Sequence, residues 1–209
     1  MKTDLTLNSQ PEALVFDFDG VIADTEPLYW RSWCEILTPL GIAFEWEDYC
    51  RIGRGIRDEK MLESLAELTA DPQLAFRIGP RVAERGEKIR GWLSQSSPIS
   101  QSTVQLLKSL HGHSLGLVTS SNRVDVQPLL DGAGIAGCFK SCVFGEEMSS
   151  HKPDPAPYLL IRRKLGIGGV AFEDSDAGMQ SAKGAGFEVI RVTVPENLPG
   201  LVESALRKI

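Results

Sequence analysis

Two aspartates separated by one phenylalanine end an apolar run in LVFDFDGVIADTEP, residues 14–27. Neighbouring carboxylates repel, and one resists ionising unless a cation joins the pair. Asp17 and Asp19 therefore read either as a solvated turn or as a site for metal binding and acid–base chemistry. Three more groups follow: Thr119, Ser120 and Ser121 in LVTSSNR, Lys152 in SHKPDP, and Glu173 and Asp174 in AFEDSDAG. Each has an ordinary explanation. Hydroxyls after a strand cap helices, a lysine before proline is usually a surface residue, and acids at a helix start are favoured by its dipole.

As a set they have a chemical explanation. Asp17 and Asp174 offer hard oxygen ligands suited to Mg²⁺, with Glu173 reaching the ion through a water. A cation also lets crowded acids stay ionised. Thr119 and the backbone amides of Ser120 and Ser121 can donate to phosphoryl oxygens at a helix start. Lys152 adds positive charge opposite the metal and offsets the charge an anionic nucleophile would meet.

The elements that must position these groups are legible as short apolar runs that do not alternate: 13–16, 114–118, 142–145, 169–172 and 188–194. Strands covered on both faces look like this. Helix-length segments at 124–133, 155–165, 177–185 and 198–208 separate or follow the later ones, which predicts a doubly wound, Rossmann-like parallel α/β core. All four chemical groups then fall at successive strand ends, where an open parallel sheet binds its ligands.

Residues 29–97 behave differently, with apolar residues at helical spacing: Trp33, Ile36, Leu37 and Leu40; Met61, Leu62, Leu65 and Leu68; Ile78, Val82, Ile89 and Trp92. This predicts an all-helical insertion over 29–97, dividing a core of 1–28 and 98–209. Turn residues at both flanks supply possible hinges. Within the insertion RIGRGIRDE carries Arg51, Arg54 and Arg57, of which Arg54 and Arg57 are candidate substrate contacts because a guanidinium donates two hydrogen bonds to one anion. The alternative is a solvated helix start with Arg57 balanced by Asp58 and Glu59. Glu26 and Tyr29 are placed to face the same cavity.

A net charge of −6 argues against a nucleic-acid or anionic-membrane surface, and no apolar run is long enough to span a bilayer. The polar amino terminus lacks the apolar centre of a signal peptide. Cys34, Cys50, Cys138 and Cys142 form no CxxC pair and read as reduced, partly packed thiols of a cytoplasmic protein with no obligate protein partner evident.

The ordered set DFDGVIADTEP, VTSS, HKPDP and FEDSDAG resembles the haloacid dehalogenase-like hydrolase superfamily, over essentially the whole chain. The helical insertion resembles the subgroup with an α-helical cap, which includes phosphoglycolate phosphatase-like enzymes and β-phosphoglucomutase. The resemblance implies a Mg²⁺-dependent phosphatase of a small phosphorylated metabolite. Asp17 is then the nucleophile that becomes an aspartyl-phosphate, and Asp19 the acid and base whose backbone carbonyl also meets the metal. Thr119 and Lys152 hold the phosphoryl group, and Glu173 and Asp174 complete the metal site. The presence of both Asp19 and the metal acids speaks against dehalogenation.

A sugar phosphomutase is the alternative on the same scaffold. Tyr29 stands where caps of the β-phosphoglucomutase type carry a catalytic histidine, which weakens that alternative. His151 stands where a small residue is usual before the lysine, and reads as a loop residue. A non-catalytic receiver-like module would also gather acids, a hydroxyl and a lysine, but it needs neither Asp19 nor a lid.

Overall fold

The computed structural model describes residues 13–208, so the polar amino-terminal segment lies outside the described residues. Five strands form one sheet: β1 (Ala13–Phe16), β2 (Ser114–Val118), β3 (Ser141–Val143), β4 (Gly169–Glu173) and β5 (Glu188–Arg191). Their order is β3-β2-β1-β4-β5, all neighbours parallel. β1 lies at the centre, paired with β2 on one side and β4 on the other, so its carboxyl end is flanked by both of theirs.

Both faces of this sheet are covered, which is why the strands read as continuous apolar runs. Leu14 and Phe16 of β1 pack to one side with Leu115, Leu117, Val170 and Phe172. There they meet α5 (Gln101–Ser109), α6 (Arg123–Gly132) and α9 (Leu198–Leu206). Ala13 and Val15 point to the other side, against α7 (Ala156–Leu165) and α8 (Asp176–Gly184). The rings of Phe16 and Phe172 stack across the β1–β4 pair at 5.0 Å. Each such fully buried side chain contributes roughly 1.5–3 kcal/mol over its exposed state.

Two strands stop short of the sequence expectation. The run 142–145 gives a strand only to Val143, because Gly145 opens a single 3-10 turn. The run 188–194 leaves the sheet after Arg191, ahead of the turn that starts at Pro195, a residue with no N–H for a ladder. Helix α5 was not anticipated as an element; Ser100 caps it by accepting from the Thr103 N–H at 3.1 Å.

Between β1 and α5 the chain is helical: α1 (Glu26–Leu37), α2 (Trp46–Ile52), α3 (Asp58–Leu68) and α4 (Leu74–Gln95). These helices enclose a hydrophobic cluster of their own, built from Trp33, Ile36, Leu37, Phe44, Tyr49, Met61, Leu65, Leu74 and Ile78. The division expected after residue 28 falls inside α1. Two members of the sequence stripes are exposed instead of packed. Leu40 sits in the 3-10 turn after α1, and Leu68 is the last residue of α3. Among the described residues no helix is long and apolar enough to cross a membrane.

Candidate active site

The carboxyl ends of β1, β2 and β4 deliver the site. Asp17 follows β1 directly and is buried; its Oδ1 accepts from the backbone N–H of Phe18 at 2.7 Å. Glu173 is the last residue of β4 and Asp174 the next, both buried. Oxygens of Asp17, Glu173 and Asp174 lie within 4.8 Å of one another. Gly20 makes this closeness possible. Its φ of +71° suits glycine, and a Cβ there would collide with Asp174 Oδ2.

Lys152 enters the cluster from the loop after β3. Its ammonium reaches Glu173 Oε1 at 2.6 Å and Asp17 Oδ1 at 3.0 Å, and donates to the carbonyl oxygen of Val118 at 3.1 Å. All three of its N–H donors are thus used. Burial works to lower its pKa, but the charges of Asp17 and Glu173 outweigh this and hold it above the ordinary lysine range. Glu173 also accepts from the Tyr158 hydroxyl at 2.5 Å.

The cluster remains short of positive charge. Burial pushes Glu173 well above the usual carboxylate range, with Asp17 adding to the effect and Lys152 opposing it. Burial raises Asp174 to about 6, again with Asp17 adding and Arg54 opposing. Glu173 Oε2 and Asp174 Oδ1 are buried without a hydrogen-bond partner. Unpaired buried carboxylate oxygens are costly, and three acids against one lysine and one arginine leave a negative excess. The donor set is all hard oxygen, so these residues fit a divalent cation.

Asp19 stands apart from the cluster, half-buried and surrounded by hydroxyls. Oδ1 accepts from Thr25 Oγ1 at 2.6 Å and from the Tyr29 hydroxyl at 3.0 Å. Oδ2 accepts from Ser121 Oγ at 2.6 Å and, at the limit of 3.5 Å, from Thr119 Oγ1. Burial raises its carboxyl above the ordinary aspartate range, against the hydrogen bonds of Ser121 and Thr25. Thr119 itself is fully buried, and its Oγ1 accepts from the Ser121 N–H at 3.1 Å, shaping the loop after β2.

A cavity of about 310 Å³ opens beside Asp19, between the strand ends and the helical segment. Ser120 and Ser121 line it from the core, and Glu26, Tyr29, Trp33, Tyr49, Arg57 and Arg85 from the helices. Of the two cap arginines singled out from the sequence, only Arg57 lines this cavity. Arg54 is drawn instead to the buried acids, its Nε donating to Asp174 Oδ2 at 2.6 Å. The low-dielectric carboxylate outcompetes a solvated position for that guanidinium. Arg57 Nη1 meets His151 Nε2 at 2.7 Å, so His151 is a contact between core and helical segment.

The family profile described as haloacid dehalogenase-like hydrolase matches residues 14–192. The chain belongs to that family. It is a phosphatase-class enzyme within it. This hydrolase is 31% identical over 182 residues to the phosphorylated carbohydrates phosphatase of Thermotoga maritima, covering 86% of this chain and 83% of the relative. It is 30% identical over 187 residues to a fructose-1-phosphate phosphatase of Escherichia coli, covering 86% and 95% respectively. Among solved structures, β-phosphoglucomutase from Clostridium difficile superposes with a TM-score of 0.73 at 21% identity, over 90% of this chain and 87% of that one. That likeness is one of fold.

Several residues around the site carried no local signal. Tyr158 on α7 reaches Glu173, and Tyr49 on α2 donates to the buried carboxylate of Glu26. Arg85 on α4 is buried over the Trp33 ring at 4.4 Å, donates to Ser32 Oγ at 2.8 Å and pairs with Asp58. Each depends on a partner more than a dozen residues away in the chain, which spacing does not reveal.

Proposed function

We propose that this hydrolase is a Mg²⁺-dependent phosphatase of a small phosphorylated metabolite, a sugar or polyol monophosphate, acting through an aspartyl-phosphate. The observation that carries the reading is the pairing of Asp17 with Lys152 beside two orphaned acid oxygens, while Asp19 waits two residues away outside that cluster.

Asp17 attacks the phosphorus, forming the P–O bond to its carboxylate as the bond to the leaving oxygen breaks. Asp19 gives its proton to that oxygen, and then takes one from the water that attacks the aspartyl-phosphate. Lys152, held by three acceptors, supplies a fixed positive charge beside the nucleophile. Thr119 and the Ser120 amide would hold the transferring oxygens, while the Ser121 N–H, expected to join them, is given to Thr119 Oγ1 instead. Asp17, the Asp19 carbonyl, Glu173 and Asp174 would hold Mg²⁺. When bound it supplies positive charge that keeps these acids ionised and draws in the phosphate.

The helical segment over residues 29–97 acts as a cap. Arg54–Asp174 and Arg57–His151 tie it to the core, and a closed cap excludes water from the transfer step. Arg57 contributes to substrate recognition, and the cavity's mixture of acids, hydroxyls and aromatic rings suits a polyhydroxylated leaving group. The names of the Thermotoga maritima and Escherichia coli relatives, both phosphatases of phosphorylated sugars, support the same class. Four free cysteines suit a reducing cytoplasm.

The test is phosphate release from sugar phosphates, phosphorylated short acids and nucleotides, with Mg²⁺ and with chelator. A chelator-sensitive signal concentrated on sugar or polyol monophosphates is expected. Equal release with chelator would overturn the metal assignment. Interconversion of hexose phosphates with an activating bisphosphate, and no release, would replace the phosphatase with a mutase.

A further inference from the structure

Arg54 belongs to the helical segment, yet its guanidinium is committed to the acid cluster of the core. Nε donates to Asp174 Oδ2 at 2.6 Å, and Nη2 to the Thr193 carbonyl at the 3.5 Å limit. The pair is sheltered: the Arg54 side chain is 19% exposed and that of Asp174 not at all. Two glycines permit the approach. A Cβ on Gly20 would stand 2.2 Å from Asp174 Oδ2 and 3.3 Å from Arg54 Nη2, and one on Gly55 would stand 2.6 Å from Ser175 Oγ. The loop that carries Arg54 is therefore seated on Ser175 as well as on Asp174.

Asp174 is also one of the three acids that together fit a divalent cation, with Asp17 and Glu173. Its Oδ1 is buried without a partner, while Oδ2 serves Arg54. Charge decides whether both partners can be held at full strength. Lys152 neutralises one of the three carboxylates and Arg54 a second, which leaves a single negative charge. Without Arg54 two charges remain, the number a divalent cation matches. A guanidinium and a divalent ion on one carboxylate also repel each other, and a low-dielectric interior strengthens that repulsion. We infer that Arg54 is an internal competitor of the metal: both draw on the Asp174 carboxylate, so metal binding loosens the seat of the 53–57 loop on the core, and that seat weakens metal binding. This rests on the metal-dependent phosphatase reading above and adds to it a link between metal loading and the helical segment. The link is one shared free energy, so the two effects have equal magnitude.

The probe is Mn²⁺ alone, which takes the same oxygen donors as Mg²⁺ and whose free form is counted by electron paramagnetic resonance. Binding that survives in Asp174→Asn is discounted as surface binding. Arg54→Gln keeps a polar side chain and removes the charge. Its Kd for Mn²⁺ should fall roughly ten-fold, within the span of about 5–150-fold usual for coupled sites. Arg54→Lys retains the charge and should stay closer to wild type than Arg54→Gln does. Hydrogen exchange reads the other side of the link. The N–H groups of Arg54 and Ile56 donate to the Tyr49 and Gly53 carbonyls, and Mn²⁺ should speed their exchange in wild type but not in Arg54→Gln.

Mn²⁺ binding in Arg54→Gln equal to or weaker than that of wild type would overturn the inference. So would wild-type exchange in the 53–57 loop that Mn²⁺ slows or leaves unchanged. The exchange measurement on wild type needs no variant, and it decides the matter if Arg54→Gln does not fold. A wild type that binds no Mn²⁺ at this site would overturn the metal assignment, and this inference with it. Failure of the inference alone is recognised by a wild type that does bind it.

Discussion

Lys152→Met offers a quantitative test of how the site is held together. Methionine keeps most of the aliphatic stem and removes the ammonium that bridges Glu173 Oε1 at 2.6 Å and Asp17 Oδ1 at 3.0 Å. Both carboxylates stay buried, and Glu173 Oε2 has no partner to begin with. Breaking a buried ion pair by removing one member costs about 3–5 kcal/mol, because the remaining charge is uncompensated. With a urea dependence of roughly 2 kcal/mol per molar, a loss of about 4 kcal/mol lowers the unfolding midpoint by about 2 M.

The pH dependence has a definite sign. Lys152 is held above the ordinary lysine range in the folded state, so its stabilisation is fully present at neutral pH. It is lost only as strongly alkaline pH is reached. With Lys152 gone the upward push of burial and Asp17 on Glu173 is unopposed, so the deficit of the variant should grow as pH rises through neutrality. Adding Glu173→Gln to Lys152→Met removes one stranded charge and should restore part of the midpoint. The assay is urea unfolding followed by fluorescence and by circular dichroism, in chelator. A single variant within about 0.5 kcal/mol of wild type, or a double variant no more stable than the single, would refute the reasoning.

Two further outcomes follow from the contact between core and helical segment. Gly55 has φ +69°, and a Cβ there would press on Ser175 Oγ, the cap of α8. Gly55→Ala should cost roughly 1–2 kcal/mol of backbone strain and raise KM by displacing the loop from the core, which steady-state kinetics and thermal melts would register. His151 is held below its ordinary pKa, by burial first and by the charge of Arg57 second, with Glu59 opposing. The unfolded chain therefore binds this proton before the folded one does. Stability is kept above the ordinary histidine range and lost as pH falls through it. Melting temperatures between about pH 7 and pH 5 should fall more steeply for wild type than for His151→Gln.

The sheet was legible because a strand covered on both faces cannot alternate, and the runs ending at Phe16, Val118 and Phe172 show that directly. The site was legible for a related reason: its acids, hydroxyls and lysine are placed by strand ends, and strand ends follow apolar runs. Where a run outlasted its strand, as at Phe144–Gly145 and Val192–Val194, local turns at Gly145 and Pro195 decided the boundary. What spacing could not give was side-chain reach. Arg54 and Arg57 are three residues apart in one loop, yet one turns to Asp174 and the other to His151 and the cavity. Tyr158, Tyr49 and Arg85 likewise owe their places to tertiary partners.

The central claim is that Asp17 carries the phosphoryl group. Rapid acid quench of wild-type enzyme turning over a sugar monophosphate with Mg²⁺, followed by peptide mass spectrometry, tests it most directly. The account predicts a phosphoryl adduct on Asp17, in the peptide spanning residues 14–27, absent from Asp17→Asn and from enzyme quenched in chelator. An adduct on another residue, or turnover undiminished in Asp17→Asn, would contradict it.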